Sequence, residues 1–215
     1  MAYKHNAPFH ADVVGSYLRP AELKAAREDF AAGKIDAAEL KAVEDKAITE
    51  LVTKQKATGL HVITDGEFRR AYWHLDFMWG LQGVSKGTNP VAVHGSNGSE
   101  VTETAAVSGE ISGENHPFIE HFKFVKQFED DNTVAKITVP SPAQTLFLLQ
   151  AGAAEDFTNP YANDDKLAEA LVKAYSQVTR DLFDAGCRNL QLDDCTWGML
   201  VSEDFKDSVF GRDPK

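Results

Sequence analysis

The feature that most constrains this sequence is a run of strand, helical crossover and strand near its start. Ala11-Asp12-Val13-Val14 reads as a short buried strand, stopped by Gly15-Ser16. Pro20 fits the first turn of a helix, where its missing N–H costs nothing, and that helix runs to about Ala32 and breaks at Gly33. Asp36, with Glu39 three residues on, forms a capping-box start. Leu40, Val43, Ala47, Ile48, Leu51 and Val52 then keep helical spacing to about Lys56. Gly59 ends that helix, and Leu60-His61-Val62-Ile63-Thr64 is a second strand. Strands joined by a helical crossover pair in parallel, because a tight turn can join only antiparallel neighbours.

The pattern breaks and then resumes. Residues from about Gly80 to Gly113 are rich in Gly, Ser, Thr, Asn and Val, with loose alternation at Val91-Ala92-Val93 and Val101-Thr102-Glu103-Thr104. They predict an antiparallel β insertion, placed within about 80–125. Ala135-Lys136-Ile137-Thr138-Val139 is a third parallel strand, ended by Pro140-Ser141-Pro142, with a helix expected over 143–151. Asn163 caps a further helix whose stripe is Leu167, Leu171, Ala174, Tyr175, Val178 and Leu182, and Gly186 closes it. Arg188-Asn189-Leu190-Gln191-Leu192 is a fourth strand running into Asp193-Asp194. The fold class is therefore α/β, with about four βα units and one antiparallel insertion in a single domain over 1–215. A closed eight-stranded α/β barrel needs about 250 residues. Read this way, the chain is either a small open sheet or the front half of a barrel.

Charge narrows the function classes. With 22 Lys+Arg against 33 Asp+Glu the net charge is −11, a field that repels phosphate backbones and anionic lipid. Nucleic acid and membrane are thus poor partners. The longest mostly apolar stretch, 145–154, is too short to span a bilayer, and the first residues lack the apolar run of a signal peptide. Two cysteines at this length are no disulfide framework, so the cytoplasm is the expected compartment.

In parallel α/β folds, sites lie at the carboxyl ends of strands. Those ends carry Gly15-Ser16, Asp65-Gly66-Glu67, Pro140-Ser141-Pro142 and Asp193-Asp194. Gly-Ser exposes backbone N–H donors to an anion, and the acids suit a cation, so the set matches a zwitterion. Gly, Ser and Asp also dominate ordinary turns, and spacing alone leaves both readings open.

Three strings in order, His10-Ala11-Asp12-Val13-Val14-Gly15-Ser16-Tyr17-Leu18-Arg19-Pro20, Thr64-Asp65-Gly66-Glu67-Phe68-Arg69-Arg70 and Ala185-Gly186-Cys187-Arg188-Asn189-Leu190-Gln191-Leu192-Asp193-Asp194, resemble the cobalamin-independent methionine synthase family. The likeness is to its catalytic barrel and its short, single-barrel members. It implies a (β/α)8 TIM barrel, of which this chain holds about the first four βα units. It also implies a methyltransferase that moves a methyl group from a methyltetrahydrofolate-type donor to the zinc-bound thiol of homocysteine. Carried over by position, Val14, Gly15 and Ser16 would hold the homocysteine carboxylate, while Glu67 and Asp193 would grip its amino group. Asp65 stands where the family has a histidine, and Asp194 and Cys195 stand where it has Glu-Pro. His10, Arg19, Asp65 and Asp194 are possible additional contacts. The family's zinc ligands include a His-x-Cys pair that does not occur here. The resemblance therefore puts no metal site within this chain and expects the ligands on a C-terminal part beyond it.

Two rivals stand beside that reading. Other zinc-dependent thiol alkyltransferases share the architecture, including those acting on coenzyme M, whose sulfonate would be repelled by two adjacent acids. A non-catalytic amino-acid-binding module is the reading if the chain is naturally complete. A homo-oligomer is possible under any of them. Among other residues, Cys187 and Cys195 read as packing groups, and His61 points to the opposite barrel end. The cluster Tyr72-Trp73-His74-Leu75-Asp76-Phe77-Met78-Trp79 either covers a pocket, stacking a flat ring, or plugs the insertion against its support. Arg19, Arg69 and Arg70 are expected either to receive the carboxylates of a glutamate tail or, more commonly, to be solvated surface groups.

Overall fold

A computed structural model describes residues 13–89, 102–151 and 159–196 of the chain. Among them the element order is α1 (Ala21–Ala31), α2 (Ala37–Ala57), β1 (Val62–Ile63), α3 (Leu75–Gly80), β2 (Gln82–Asn89), β3 (Thr102–Ser112), α4 (Phe118–Lys126), β4 (Val134–Ala135), β5 (Ile137–Pro140), α5 (Pro142–Ala151), α6 (Asp164–Asp184) and β6 (Leu190–Asp193).

The expected parallel pairing is present. Val62 and Ile63 lie opposite Val134 and Ala135 in parallel register. After Lys136 the same run continues as β5, which pairs with β6. Ile137 N–H donates to Asn189 O at 3.2 Å, and Ser141 N–H to Asp193 O at 2.8 Å. Both partners advance by four residues between those two bonds, which is the mark of a parallel pair. The run from Val134 to Pro140 thus serves β1 with its first half and β6 with its second.

The described residues group into two compact units. The first lies within residues 13–71, 117–138 and 181–191. Its long helix α2 starts on the capping box read from sequence: Asp36 Oδ1 accepts from Ala38 N and Glu39 N, and Glu39 Oε2 accepts from Asp36 N. That satisfies N–H groups that a helix start otherwise leaves unpaired. Ile48 and Val52 of α2, Leu23 of α1, Ile63, Phe68 and Phe122 are buried in this unit.

The second unit lies within residues 72–89, 102–116, 139–151, 159–180 and 192–196. Here β2 and β3 form the expected antiparallel hairpin, with a bulge between Gln82 and Val84. Helix α3 packs on both hairpin strands, and Trp79 Nε1 donates to Thr104 O at 3.2 Å. The aromatic cluster therefore braces the insertion, with Phe77 and Met78 fully buried. Asn163 caps α6 as expected, its Oδ1 accepting from Lys166 N at 3.0 Å.

Three expectations need correction. Val13 and Val14 are not part of a strand, and Ala11 and Asp12 lie outside the described residues. The carbonyls a neighbouring strand would use are taken by side chains instead. Lys136 Nζ donates to Val13 O, and Gln191 Nε2 donates to Val14 O at 2.9 Å. The insertion does not extend to 125, because 118–126 is helix α4, whose Phe118, Phe122 and Val125 at spacings of four and three form a buried stripe. Pro117 precedes its first residue with helical dihedrals, a start signal hidden by the Gly/Ser-rich composition just before it. Arg69 and Arg70 are not solvated. Arg70 is 1% exposed, and Arg69 pairs with Glu44 at 3.0 Å and with Asp45.

Candidate functional site

In the first unit the site is built on the turn that follows β1. Gly66 and Glu67 have φ of 68° and 58°, two successive residues in the left-handed region. Glycine occupies that region freely, and here it is also required by space: a Cβ on Gly66 would lie 2.4 Å from Leu51 Cδ2. Glutamate has no such freedom, and left-handed non-glycine residues cost on the order of 1 kcal/mol or more. Three bonds hold the turn. Glu67 N donates to Asp65 Oδ1 at 2.8 Å, Gly66 N to Thr64 Oγ1 at 3.1 Å, and Arg70 N to Glu67 O at 3.0 Å. Arg19 clamps it from outside, donating to Glu67 O at 2.9 Å and to Arg70 O at 2.6 Å.

The Glu67 side chain is 4% exposed. Its Oε1 accepts from Thr138 Oγ1 at 3.0 Å and from Arg70 Nη1 at 3.4 Å. Arg70 also donates to Thr138 O at 2.8 Å, and its guanidinium lies over the Phe118 ring, 4.4 Å from the centroid. A buried carboxylate needs such partners, since an unpaired charge inside a protein is costly. The described residues bring no hydrogen-bond donor to Oε2.

Residues 13–17 run against this turn. Tyr17 N donates to Gly66 O at 3.1 Å, and Thr64 Oγ1 donates to Gly15 O at 2.8 Å. Gly15 is buried against Thr138, where an added Cβ would meet Thr138 Cγ2 at 2.6 Å. Ser16 is exposed, and Val14 is 72% exposed. The structure thus brings Gly15, Ser16, Arg19, Asp65 and Glu67 into one neighbourhood. His10 lies outside the described residues. No sequence signal marks Thr64 and Thr138 for this turn, and Arg70 is expected as a carboxylate receiver or a surface group, because their contacts reach residues up to 71 positions away.

Asp193 and Asp194 belong to the second unit, at the carboxyl end of β6. Asp194 Oδ1 accepts from Thr196 Oγ1 at 2.5 Å and from Thr196 N at 2.8 Å, and the hydroxyl bond foremost holds its carboxyl below the ordinary range. Cys195 is exposed, which corrects the expected packing role. Its Sγ donates to Gln144 Oε1 at 3.0 Å, and loss of water around the sulfur pushes the thiol up, away from the thiolate a metal or a nucleophilic reaction needs. Cys187 is buried as expected. Tyr175 ends in the same unit, its hydroxyl bonded to Pro140 O at 2.9 Å and to Thr145 Oγ1 at 2.6 Å.

Among the described residues no three His, Cys, Asp or Glu side chains stand together to ligate a metal, so they do not fit a zinc centre. Nor is any described helix long and apolar enough to cross a membrane.

Parallel strands alternating with helices define an α/β protein. Comparison with known proteins gives the family. Residues 9–207 match the catalytic domain of the cobalamin-independent synthases, and the chain belongs to that family. It is 41% identical over 197 residues to the uncharacterized protein YxjG of Bacillus subtilis, covering 91% of this chain and 50% of that one. The methionine synthase of Sulfurisphaera tokodaii is 29% identical over 182 residues, covering 85% of this chain and 50% of its own length. The chain thus spans about half the length of the curated relatives it matches. A Listeria monocytogenes crystal structure assigned as a vitamin-B12-independent methionine synthase superposes with a TM-score of 0.75 at 38% identity, covering 97% of this chain and 63% of that one. A B12-independent methionine synthase from Shewanella, at 21% identity and a TM-score of 0.60, shares the fold, covering 82% of this chain and 48% of its own.

Proposed function

We propose that this chain supplies the amino-acid-recognition part of a methyltransferase that makes methionine from homocysteine, set in a (β/α)8 barrel and acting in the cytoplasm. The observation that carries the reading is Glu67, a buried, strained carboxylate whose Oε1 accepts from Thr138 and Arg70, and to whose Oε2 no described residue donates. An α-ammonium is a fitting partner for Oε2; Asp193, on the second unit, is kept as the second acid that the family resemblance names. The backbone N–H groups of Gly15 and Ser16, flanked by Val14, would take the α-carboxylate. Asp65 and Arg19 act by holding the Glu67 turn, as their bonds indicate. His10 and Asp194 are kept as peripheral contacts.

Methyltetrahydrofolate as donor and zinc as thiol activator are part of this reading, and family membership supports them. We place the zinc ligands outside the described residues. The chain's own contribution is binding and orientation: fixing both ends of the amino acid restricts where its thiol can lie. The test is calorimetric titration of the full product of the encoding gene with L-homocysteine, 4-mercaptobutyrate and 2-mercaptoethanesulfonate. The reading expects homocysteine to bind at least tenfold more tightly than either analogue. Equal affinity for homocysteine and its des-amino analogue would remove the ammonium site.

A further inference from the structure

Thr138 touches both halves of the proposed amino-acid site through different atoms. Its Oγ1 donates to Glu67 Oε1 at 3.0 Å, and its carbonyl accepts from Arg70 Nη2 at 2.8 Å. Its Cγ2 occupies the space that a Gly15 side chain would need, 2.6 Å from the ideal Cβ position. Thr138 is 2% exposed and lies on β5, in the stretch of chain that serves both β1 and β6. A carboxylate on a flexible side chain can present either oxygen to a ligand, and each unfixed rotamer weakens the bond it makes. Here the Thr138 hydroxyl and Arg70 both converge on Oε1, which fixes the carboxylate's rotation and reserves Oε2.

We propose that Thr138 is a positioning residue: its hydroxyl orients Glu67 for the ammonium, while its methyl sets the approach of the Gly15–Ser16 segment. The inference rests on the reading of Glu67 as the ammonium partner. It adds that the two functions of Thr138 can be separated by substitution. Thr138→Val keeps the methyl against Gly15 and removes the hydroxyl. Thr138→Ser keeps the hydroxyl and removes the methyl.

The experiment measures L-homocysteine and 4-mercaptobutyrate affinity in the full gene product, for wild type, Thr138→Val, Thr138→Ser and Glu67→Gln. Thr138→Val should lose about five- to tenfold in homocysteine affinity, less than a full hydrogen bond to a charged group is worth because Arg70 still holds Oε1, with the des-amino analogue unchanged. Thr138→Ser should keep the wild-type preference for homocysteine over the des-amino analogue, since it retains that hydrogen bond, and the loss caused by its missing methyl should fall on both ligands alike. If Thr138→Val does not fold, Thr138→Ala replaces it, with the same homocysteine-selective loss expected. Should the hydroxyl-free variant bind homocysteine like wild type while Glu67→Gln does not, the positioning role is wrong and the ammonium site stands. An equal loss for both ligands in the hydroxyl-free variant would also overturn it, as the sign of general damage. Wild-type affinity in Glu67→Gln would overturn the underlying reading instead.

Discussion

Replacing Glu67 by Gln perturbs binding and stability by amounts that can be worked out separately. For binding, the loss is one charge-assisted hydrogen bond from the ligand's ammonium to Oε2, worth about 1.5–3 kcal/mol. At about 1.4 kcal/mol per factor of ten, homocysteine affinity falls roughly 10- to 150-fold. The glutamine –NH2 also turns an acceptor into a donor facing the ammonium, which favours the upper part of that range. For stability, removing one partner of a buried pair costs about 3–5 kcal/mol when the other charge is abandoned. Arg70 is not abandoned, because it keeps Thr138 O at 2.8 Å and glutamine Oε1 remains an acceptor for it and for Thr138. A cost of about 1–2 kcal/mol is therefore expected, or roughly 2–8 °C in Tm for a chain of this size. Calorimetric titration alongside thermal melts followed by circular dichroism reads both quantities. The reasoning is refuted if homocysteine affinity is unchanged, or if 4-mercaptobutyrate loses affinity in the same proportion.

Ser16→Ala should weaken homocysteine binding less than Glu67→Gln, because the backbone donors of Gly15 and Ser16 survive; a larger loss in the same titration would assign recognition to the hydroxyl. Gly15→Ala drives a methyl into Thr138 Cγ2 at 2.6 Å, and should cost about 1–3 kcal/mol in chemical denaturation, with Thr138→Ser recovering part of it. Tyr175→Phe strips the hydroxyl that Pro140 O and Thr145 share, and should lower stability by about 1–2 kcal/mol in the same assay.

What could be read from the sequence was what is local. The Asp36–Glu39 capping box, the Asn163 cap and the alternating hairpin depend on residues a few positions apart, and all are present. Element ends were legible too, since Gly59 marks where the α2 stripe stops and Asp65 and Asp193 mark where strand runs stop. Helix α4 was obscured because its nine residues follow a tract whose composition points to loops. The segment at 13–17 looked like a strand because Val13-Val14 is apolar and β-branched. Its carbonyls are instead claimed by Lys136 and Gln191, residues more than a hundred positions away, and no periodicity reports that. Arg70 misled for a similar reason: arginines are usually exposed, and only the fold shows one enclosed by Glu67, Thr138 and Phe118.

The turn at Gly66–Glu67 makes little sense as a purely structural device. A left-handed pair after a strand is met most cheaply by two glycines, or by glycine and asparagine. Glutamate at φ 58° adds backbone strain, and burying its carboxylate adds a desolvation cost of several kcal/mol before any partner is counted. The chain offsets these costs with Asp65 on the Glu67 N–H, Arg19 on its carbonyl, and Thr138 and Arg70 on one carboxylate oxygen. Four side chains thus hold a residue that a simple turn would not contain, and among the described residues both donors to its carboxylate meet Oε1. Strain that surrounding groups over-determine is the usual mark of a residue kept for its chemistry. On the proposed reading, Oε2 accepts a hydrogen bond from the ligand's ammonium, a donor that the described residues do not supply.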